Sequence, residues 1–206
     1  MQIRHKNREI YFREQTECTQ KYVIPYIEQV LCIKSNLRVL EIGCGEGGNL
    51  KPFLDVGCHC VGIDIDVAQL EKAKAFFANH SLNKNLRLIA NDIYKVSPNE
   101  IGNFDLIILR DVIEHLPNQE VFMHQLKCFM HSESVVFFGF PVWCNPFGGH
   151  QQICRNKWLS HTPWLHLLPN RLYKKALQLG GESASTIKAL LDIKATGISL
   201  SRFESI

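Results

Sequence analysis

Apolar residues fall at helical intervals from Glu9 to Ile33, with Tyr22, Val23, Tyr26, Ile27 and Val30 on neighbouring positions. Pro25 interrupts that run, so it either kinks the helix or starts a second segment. The period then changes. "LRVLEIG" is a continuous apolar run that predicts a buried strand, and a glycine-rich loop leads from it into a helix over about Asn49 to Asp55. "CHCVGIDID" predicts a second strand and "VAQLEKAKAFFANH" a helix, with Asp66 placed to cap it. "LRLIAND" is a third strand. "FDLIILRD" is a fourth, almost wholly apolar and so expected to be covered on both faces. Helix "QEVFMHQLKCFMH" and strand "SVVFFGF" follow.

This alternation predicts an α/β fold, a doubly wound and mostly parallel sheet with helices on both faces, because parallel neighbours need crossover connections. The rhythm fails after Phe140. A long irregular stretch holds all three tryptophans, two helices are expected at Arg171–Leu179 and Ser183–Ile193, and "TGISLSRF" reads as a last strand. The 206 residues are expected to form a single domain: an N-terminal helical segment (1–34), a core (37–140), an aromatic segment (141–170) and C-terminal helices with that strand (171–206).

Composition narrows the function classes. Net charge is +3 with 21% charged residues, which argues against phosphate-backbone binding as the main activity. The start, "MQIRHKNREIYFREQ", lacks the apolar stretch of a signal peptide, and no run approaches the ~18 residues of a spanning helix. A cytoplasmic protein is the expectation. Eight cysteines, several inside predicted strands and helices (Cys32, Cys58, Cys60, Cys128), then read as reduced, buried thiols. Cys144, His150, Cys154 and His161 lack the tight pairing of structural zinc ligands, so no metal is expected.

Candidate chemistry lies at the strand ends, where open parallel sheets bind ligands. In order they carry Glu41 with the glycine loop, Asp64, Asp92 and Arg110-Asp111. Gly43 to Gly48 also satisfies the dinucleotide pattern G-x-G-x-x-G. A pyrophosphate there would be repelled by Glu41 and Glu46, however, whereas a ligand bearing a sulfonium and an ammonium group would tolerate them. The charges favour S-adenosylmethionine.

These residues resemble the class I S-adenosylmethionine-dependent methyltransferases over about Leu37 to Phe140. "VLEIGCGEGG" is similar to the first motif of that family, "VGIDID" to the second, "IANDI" to the third and "FDLIILRDVIEHLP" to the fourth-strand signature of the quinone-biosynthesis branch. The resemblance implies a Rossmann-like methyltransferase fold, with S-adenosylhomocysteine as product. It would set Gly43, Cys44 and Gly45 against the methionine part of the cofactor, Asp64 on the ribose hydroxyls, Asp92 at the adenine amino group and Ile93 at the ring. Glu41, Ile65 and Arg110 complete the cofactor-binding candidates, Glu41 either touching the cofactor or bracing the loop. The N-terminal helix, with Arg4, Arg8, Tyr11 and Arg13, would close over the cofactor. The family usually ends its sheet with an antiparallel hairpin, for which the residues after Phe140 leave little room. The chain is therefore expected to be a shortened version or a fragment, with the sheet edge covered by a neighbouring chain, as in a homo-oligomer, or by the aromatic segment.

The reaction expected is methyl transfer to a small-molecule acceptor, at oxygen before carbon or nitrogen, by in-line displacement. Trp143, Phe147, Trp158 and Trp164 are candidates to wall an apolar pocket, for an acceptor that is apolar or lipid-linked. His150, on the glycine-flanked turn "NPFGGHQQ", is the candidate base, with His161 and His166 behind it. His115 either packs or faces substrate. Two other classes stay open: a non-catalytic protein that keeps the cofactor pocket, and a nicotinamide-dependent oxidoreductase, against which the strand-end acids count.

Overall fold

The structure, a computed structural model, describes residues 7–206. The described residues divide into two compact units, Asn7–Arg110 with Val121–Phe138 and Asp111–Glu120 with Gly139–Ile206.

The first unit is built on a five-stranded sheet of β1 (Arg38–Ile42), β2 (His59–Asp64), β3 (Leu86–Ala90), β4 (Phe104–Arg110) and β5 (Met130–Gly139), in the order β3-β2-β1-β4-β5. β1 pairs in parallel with β2 and β4, placing Leu40 opposite Val61 and Ile107, and β2 pairs in parallel with β3. Phe104 N–H donates to the Phe129 carbonyl and Asp111 N–H to that of Gly139, so β5 runs parallel as well. The strand order reverses at β1 and β4. Open parallel sheets bind ligands beyond the strand ends where the order reverses, which puts the ligand crevice at the carboxyl end of β1.

The apolar runs explain the burial. Val39, Leu106 and Ile108 pack into one core with Phe53, Leu54, Leu70 and Phe77. Leu40, Ile107 and Leu109, at most 1% exposed, lie outside that cluster, as strand alternation requires of the opposite face. A fully buried side chain such as Phe53 contributes roughly 1.5–3 kcal/mol. Helix α1 (Arg8–Cys18) starts at Asn7, whose Oδ1 accepts the Ile10 N–H, and runs through a π-helical turn (Thr19–Val23) into α2 (Ile24–Ile27). Pro25 sits in the first turn of α2, where its missing N–H is harmless, and the wide turn before it absorbs the ring. Pro25 thus opens a second helical segment. Helix α3 (Lys51–Val56) ends on Gly57 at φ 99°, and α4 (Val67–Phe77) is capped by Asp66 Oδ1. α5 (Pro98–Ile101) and α6 (Gln119–Lys127) complete the crossovers.

In the second unit, α7 (Lys157–His161), α8 (Asn170–Leu179) and α9 (Ala184–Thr196) pack around a small core of Cys154, Tyr173, Leu177, Ile187 and Leu190, and α10 (Leu200–Ser205) follows.

Three expectations are corrected. "TGISLSRF" is not a strand: Ser199 Oγ accepts the Arg202 N–H and starts α10, while the buried Ile198 contributes only its carbonyl to Trp143 N–H. The apolar period of a strand was present, but a serine cap won. The helix expected to reach His131 stops at Lys127, because Phe129 is fully buried and its carbonyl accepts from Phe104, so pairing with β4 begins there. All eight cysteines are unpaired, and Cys44, Cys58, Cys60 and Cys154 are buried, but Cys32 and Cys128 are exposed. Cys32 lies in the irregular stretch after α2, and Cys128 just beyond the end of α6. Among the described residues no helix is long and apolar enough to cross a membrane.

Candidate active site

In the first unit the loop after β1 is held by its own backbone and by the end of β2. Gly43 and Cys44 N–H both point at the Ile63 carbonyl, and Gly45 N–H donates to Asp64 Oδ2 at 2.7 Å. Asp64 Oδ1 accepts the Asp66 N–H at 2.8 Å. Gly43, Gly45 and Gly47 all lie at positive φ (72°, 52° and 78°), which L side chains rarely adopt. Gly62 is bare for another reason: a Cβ there would come within 2.7 Å of Cys44 Sγ. Ile65, beside Asp64, is 77% exposed.

Glu41 is buried at the base of this loop. Its Oε1 accepts from Asn49 Nδ2 at 2.7 Å and its Oε2 has no partner. Burial pushes the carboxyl up to about 8, with the Asn49 hydrogen bond and the Arg110 charge pulling the other way. Asn49 Oδ1 in turn accepts from Thr19 Oγ1 at 2.8 Å and from Arg110 Nη1 at 3.1 Å, and Arg110 Nη2 reaches Cys18 Sγ at 3.1 Å. Asn49 and Thr19 were missed by sequence reasoning. A polar Asn in the first turn after a glycine loop was the only local signal for the first, and nothing local marked the second.

Glu46 requires a correction. It was read as an open negative charge near the ligand, yet it is 1% exposed and gripped by Arg8 through Nε–Oε1 and Nη2–Oε2, both 2.5 Å. Arg8 also reaches Gln69 Oε1 at 3.2 Å. The partly exposed acids at the strand ends are Asp64 and Asp92, and Glu41 joins them as a charge only as its proton is lost near pH 8. α1 is tied to the loop again where Thr16 Oγ1 donates to the Gly48 carbonyl at 3.0 Å. Tyr11 lies under the Arg8 guanidinium, Arg13 is exposed beside Glu17, and Arg4 lies outside the described residues. At the end of β3, Asp92 Oδ1 accepts the Tyr94 N–H at 3.1 Å, and Ile93 is 4% exposed with its carbonyl held by Gln125 Nε2.

The second unit holds a separate cluster. Asp111 and His150 both sit at φ 56°, a conformation that costs a non-glycine residue roughly 1–3 kcal/mol and concentrates at functional sites. A 3₁₀ turn after Asp111 presents Glu114 and His115. Glu114 is 2% exposed with neither carboxylate oxygen hydrogen-bonded, and its Oε1 lies 3.8 Å from His115 Nε2. The His115 and His150 rings meet edge to face at 5.3 Å, and His150 Nε2 is buried without a partner. Burial raises Glu114 to about 7 and lowers both histidines, so both imidazoles are neutral at neutral pH. The ligating atoms of Glu114, His115 and His150 all lie within 4.8 Å of one another, a donor set suited to a divalent cation. Sequence reasoning missed Glu114 entirely.

The other candidates separate. Cys144 and His161 are exposed and Cys154 is in the core, so they do not join His150. His166 is fully buried with Nε2 2.8 Å from the Trp143 carbonyl, a packing role. Trp143 stacks edge-on against His166, whereas Trp158 is 86% exposed and walls no enclosed pocket.

The profile of the methyltransferase domain family matches residues 12–179. The chain is 26% identical over 192 residues to the ubiquinone biosynthesis O-methyltransferase of Bartonella tribocorum, covering 82% of this chain and 76% of that protein. Against the Brucella melitensis protein of the same name the 26% identity spans 125 residues and 49% of the relative's length. Among solved structures, the plantazolicin methyltransferase BpumL, in complex with a desmethyl analog and SAH, superposes with TM-score 0.58 at 18% identity. The match covers 98% of this chain and 64% of that one, so the chain spans just under two thirds of its length. Coclaurine N-methyltransferase superposes with TM-score 0.52 at 19% identity over 59% of this chain and 35% of its own. These likenesses bear out the doubly wound fold. The match over most of its length shows that the chain belongs to the methyltransferase domain family, as a class I S-adenosylmethionine-dependent methyltransferase of the small-molecule type.

Proposed function

We propose that the chain transfers the methyl group of S-adenosylmethionine to an oxygen of a small, partly apolar hydroxylated acceptor. The observation that carries the donor side is the joint use of Asp64, at the end of β2, by the glycine loop and by the cap of α4. In this reading the backbone of Gly43, Cys44 and Gly45 meets the methionine part and Asp64 the ribose hydroxyls. Ile65 lies alongside, and Asp92 and Ile93 take the adenine. Glu41, oriented by Asn49 and Arg110, offers its unpartnered Oε2 toward the cationic donor. The preference for oxygen is supported by the relatives named as O-methyltransferases.

On the acceptor side His150 serves as the base. An oxygen lone pair of the acceptor attacks the methyl carbon, the carbon–sulfur bond breaks, and its electron pair stays on sulfur as S-adenosylhomocysteine. The acceptor proton passes to His150 Nε2, which is neutral and unpartnered. A second reading is favoured by the two oxygens of the buried Glu114 that have no hydrogen bond: Glu114, His115 and His150 would hold a divalent cation, which would supply Lewis-acid activation of an acceptor hydroxyl. His150 is then a ligand.

The test is incubation with S-adenosylmethionine and a panel of phenols, catechols and amines, with product detected by mass spectrometry. Methyl ethers support the assignment, and N-methylated products alone would remove oxygen as the acceptor. Tight S-adenosylhomocysteine binding without turnover on any class would favour a non-catalytic partner subunit.

A further inference from the structure

Between Glu133 and Glu182 the chain carries Arg155, Lys157, Arg171, Lys174 and Lys175 and no aspartate or glutamate. All five cations are exposed, and among the described residues none is in an ion pair. The same stretch exposes Trp158, Trp164, Leu172 and Leu179, at 86%, 50%, 55% and 80%.

The two features share one surface. α8 buries Tyr173 and Leu177 in the core of its unit. At 100° per residue Leu172 and Leu179 then align on one line of the outer side, with Lys175 beside them and Arg171 next in turn. Asn156, the cap of α7, donates through Nδ2 to the Gly180 carbonyl at 3.0 Å, which brings the helix carrying Lys157 and Trp158 to the end of α8 that carries Leu179. The 3₁₀ turn Leu165–Leu167 packs at the other end of α8 and follows directly on Trp164.

We propose that this face docks on the surface of an anionic lipid bilayer, the indoles and leucines entering the headgroup boundary while the cations meet lipid phosphates. Exposed apolar side chains set among unpaired cations are what such a surface selects, and the acid that adjoins them, Glu182, is turned inward at 8% exposed with its Oε1 held by the Asn156 N–H. A nucleic acid would use the cations but leave Trp158, Leu172 and Leu179 in water. A second copy packed face to face would bring five cations against their own counterparts.

Flotation of the full chain with phosphatidylcholine vesicles, with and without phosphatidylglycerol, tests the idea. Binding is expected only to the anionic vesicles and is expected to fall as salt is raised. Arg171→Ala with Lys175→Ala should lower the partition coefficient by about thirtyfold. Trp158→Ser with Leu172→Ser should lower it by a similar factor, and because all four side chains are exposed the melting temperature should not move. Flotation with both vesicle types or with neither overturns the proposal, as do variants that float like the parent. Binding to a DNA duplex that depends on the cations and ignores Trp158 assigns the face to nucleic acid instead.

Discussion

Gly45 donates its amide to the carboxylate of Asp64 across 19 positions of sequence, at 2.7 Å. The group proposed to hold the donor's ribose also fixes the loop proposed to hold its methionine. Asp64→Ala should therefore do more than remove one ligand contact. Two charge-assisted hydrogen bonds of about 1.5–3 kcal/mol each are lost, and the loop is freed with them. The expected outcome is a loss of affinity for S-adenosylhomocysteine of about 100-fold or more by calorimetry, with a lower melting temperature of the free protein. Unchanged affinity would remove the donor assignment.

Arg8 and Glu46 form the second long-range pair. Deleting Arg8 leaves a 1%-exposed carboxylate without its cation. Removing one partner of such a pair costs about 3 kcal/mol, whereas replacing both need cost little. Arg8→Ala should thus lower stability to denaturant by that order, and Arg8→Ala with Glu46→Gln should restore most of it. If the double variant is no more stable than the single one, Arg8 acts by packing on Tyr11.

These two pairs mark the boundary of what the sequence could reveal. The central strands β1, β2 and β4 were legible because their apolar runs bury both faces, and the loop because positive φ demands glycine at Gly43, Gly45 and Gly47. The capture of Glu46 by Arg8 was not legible, since side-chain pairing over 38 positions leaves no local pattern. For the same reason Glu46 was misjudged as an open charge. The Glu114, His115 and His150 cluster was hidden because left-handed backbone at Asp111 and His150, neither a glycine, shapes the turns that carry it. α10 was misread because strand-like alternation outweighed a serine cap that only the folded chain uses.

Glu41 predicts a pH dependence. Its folded carboxyl, near 8, lies above its ordinary value of 4.5, so the folded state binds the proton more tightly than the unfolded one. Its stabilising share is complete below 4.5 and is lost as pH rises through 8, with a slope of about 1.4 kcal/mol per pH unit inside that window. Glu114 has the same sign up to about 7, so the stretch between 7 and 8 isolates Glu41. Stability of the free protein should fall across that interval, and Glu41→Gln should flatten the fall. Donor affinity should move the opposite way, rising toward pH 8 as the carboxylate forms against a cation. A Glu41→Gln variant with the parent's profile in both measurements would mean that Glu41 is ionised throughout.

The two readings of His150 differ in protons released. If Glu114, His115 and His150 hold a divalent cation, binding must strip the proton from Glu114, which at about 7 is half occupied at neutral pH. Both imidazoles are already neutral because burial lowers them. Calorimetric titration with zinc or magnesium in buffers of different ionisation enthalpy should then report about half a proton released at pH 7, and Glu114→Gln should abolish both the release and the binding. If His150 is the base, neither metal binds, chelation leaves turnover intact, and His150→Gln lowers kcat by about 10²–10⁴ while Glu114→Gln retains activity. A His150→Gln enzyme with the parent's kcat in the presence and absence of chelator would remove this residue from the chemistry altogether and leave the acceptor to be deprotonated by water.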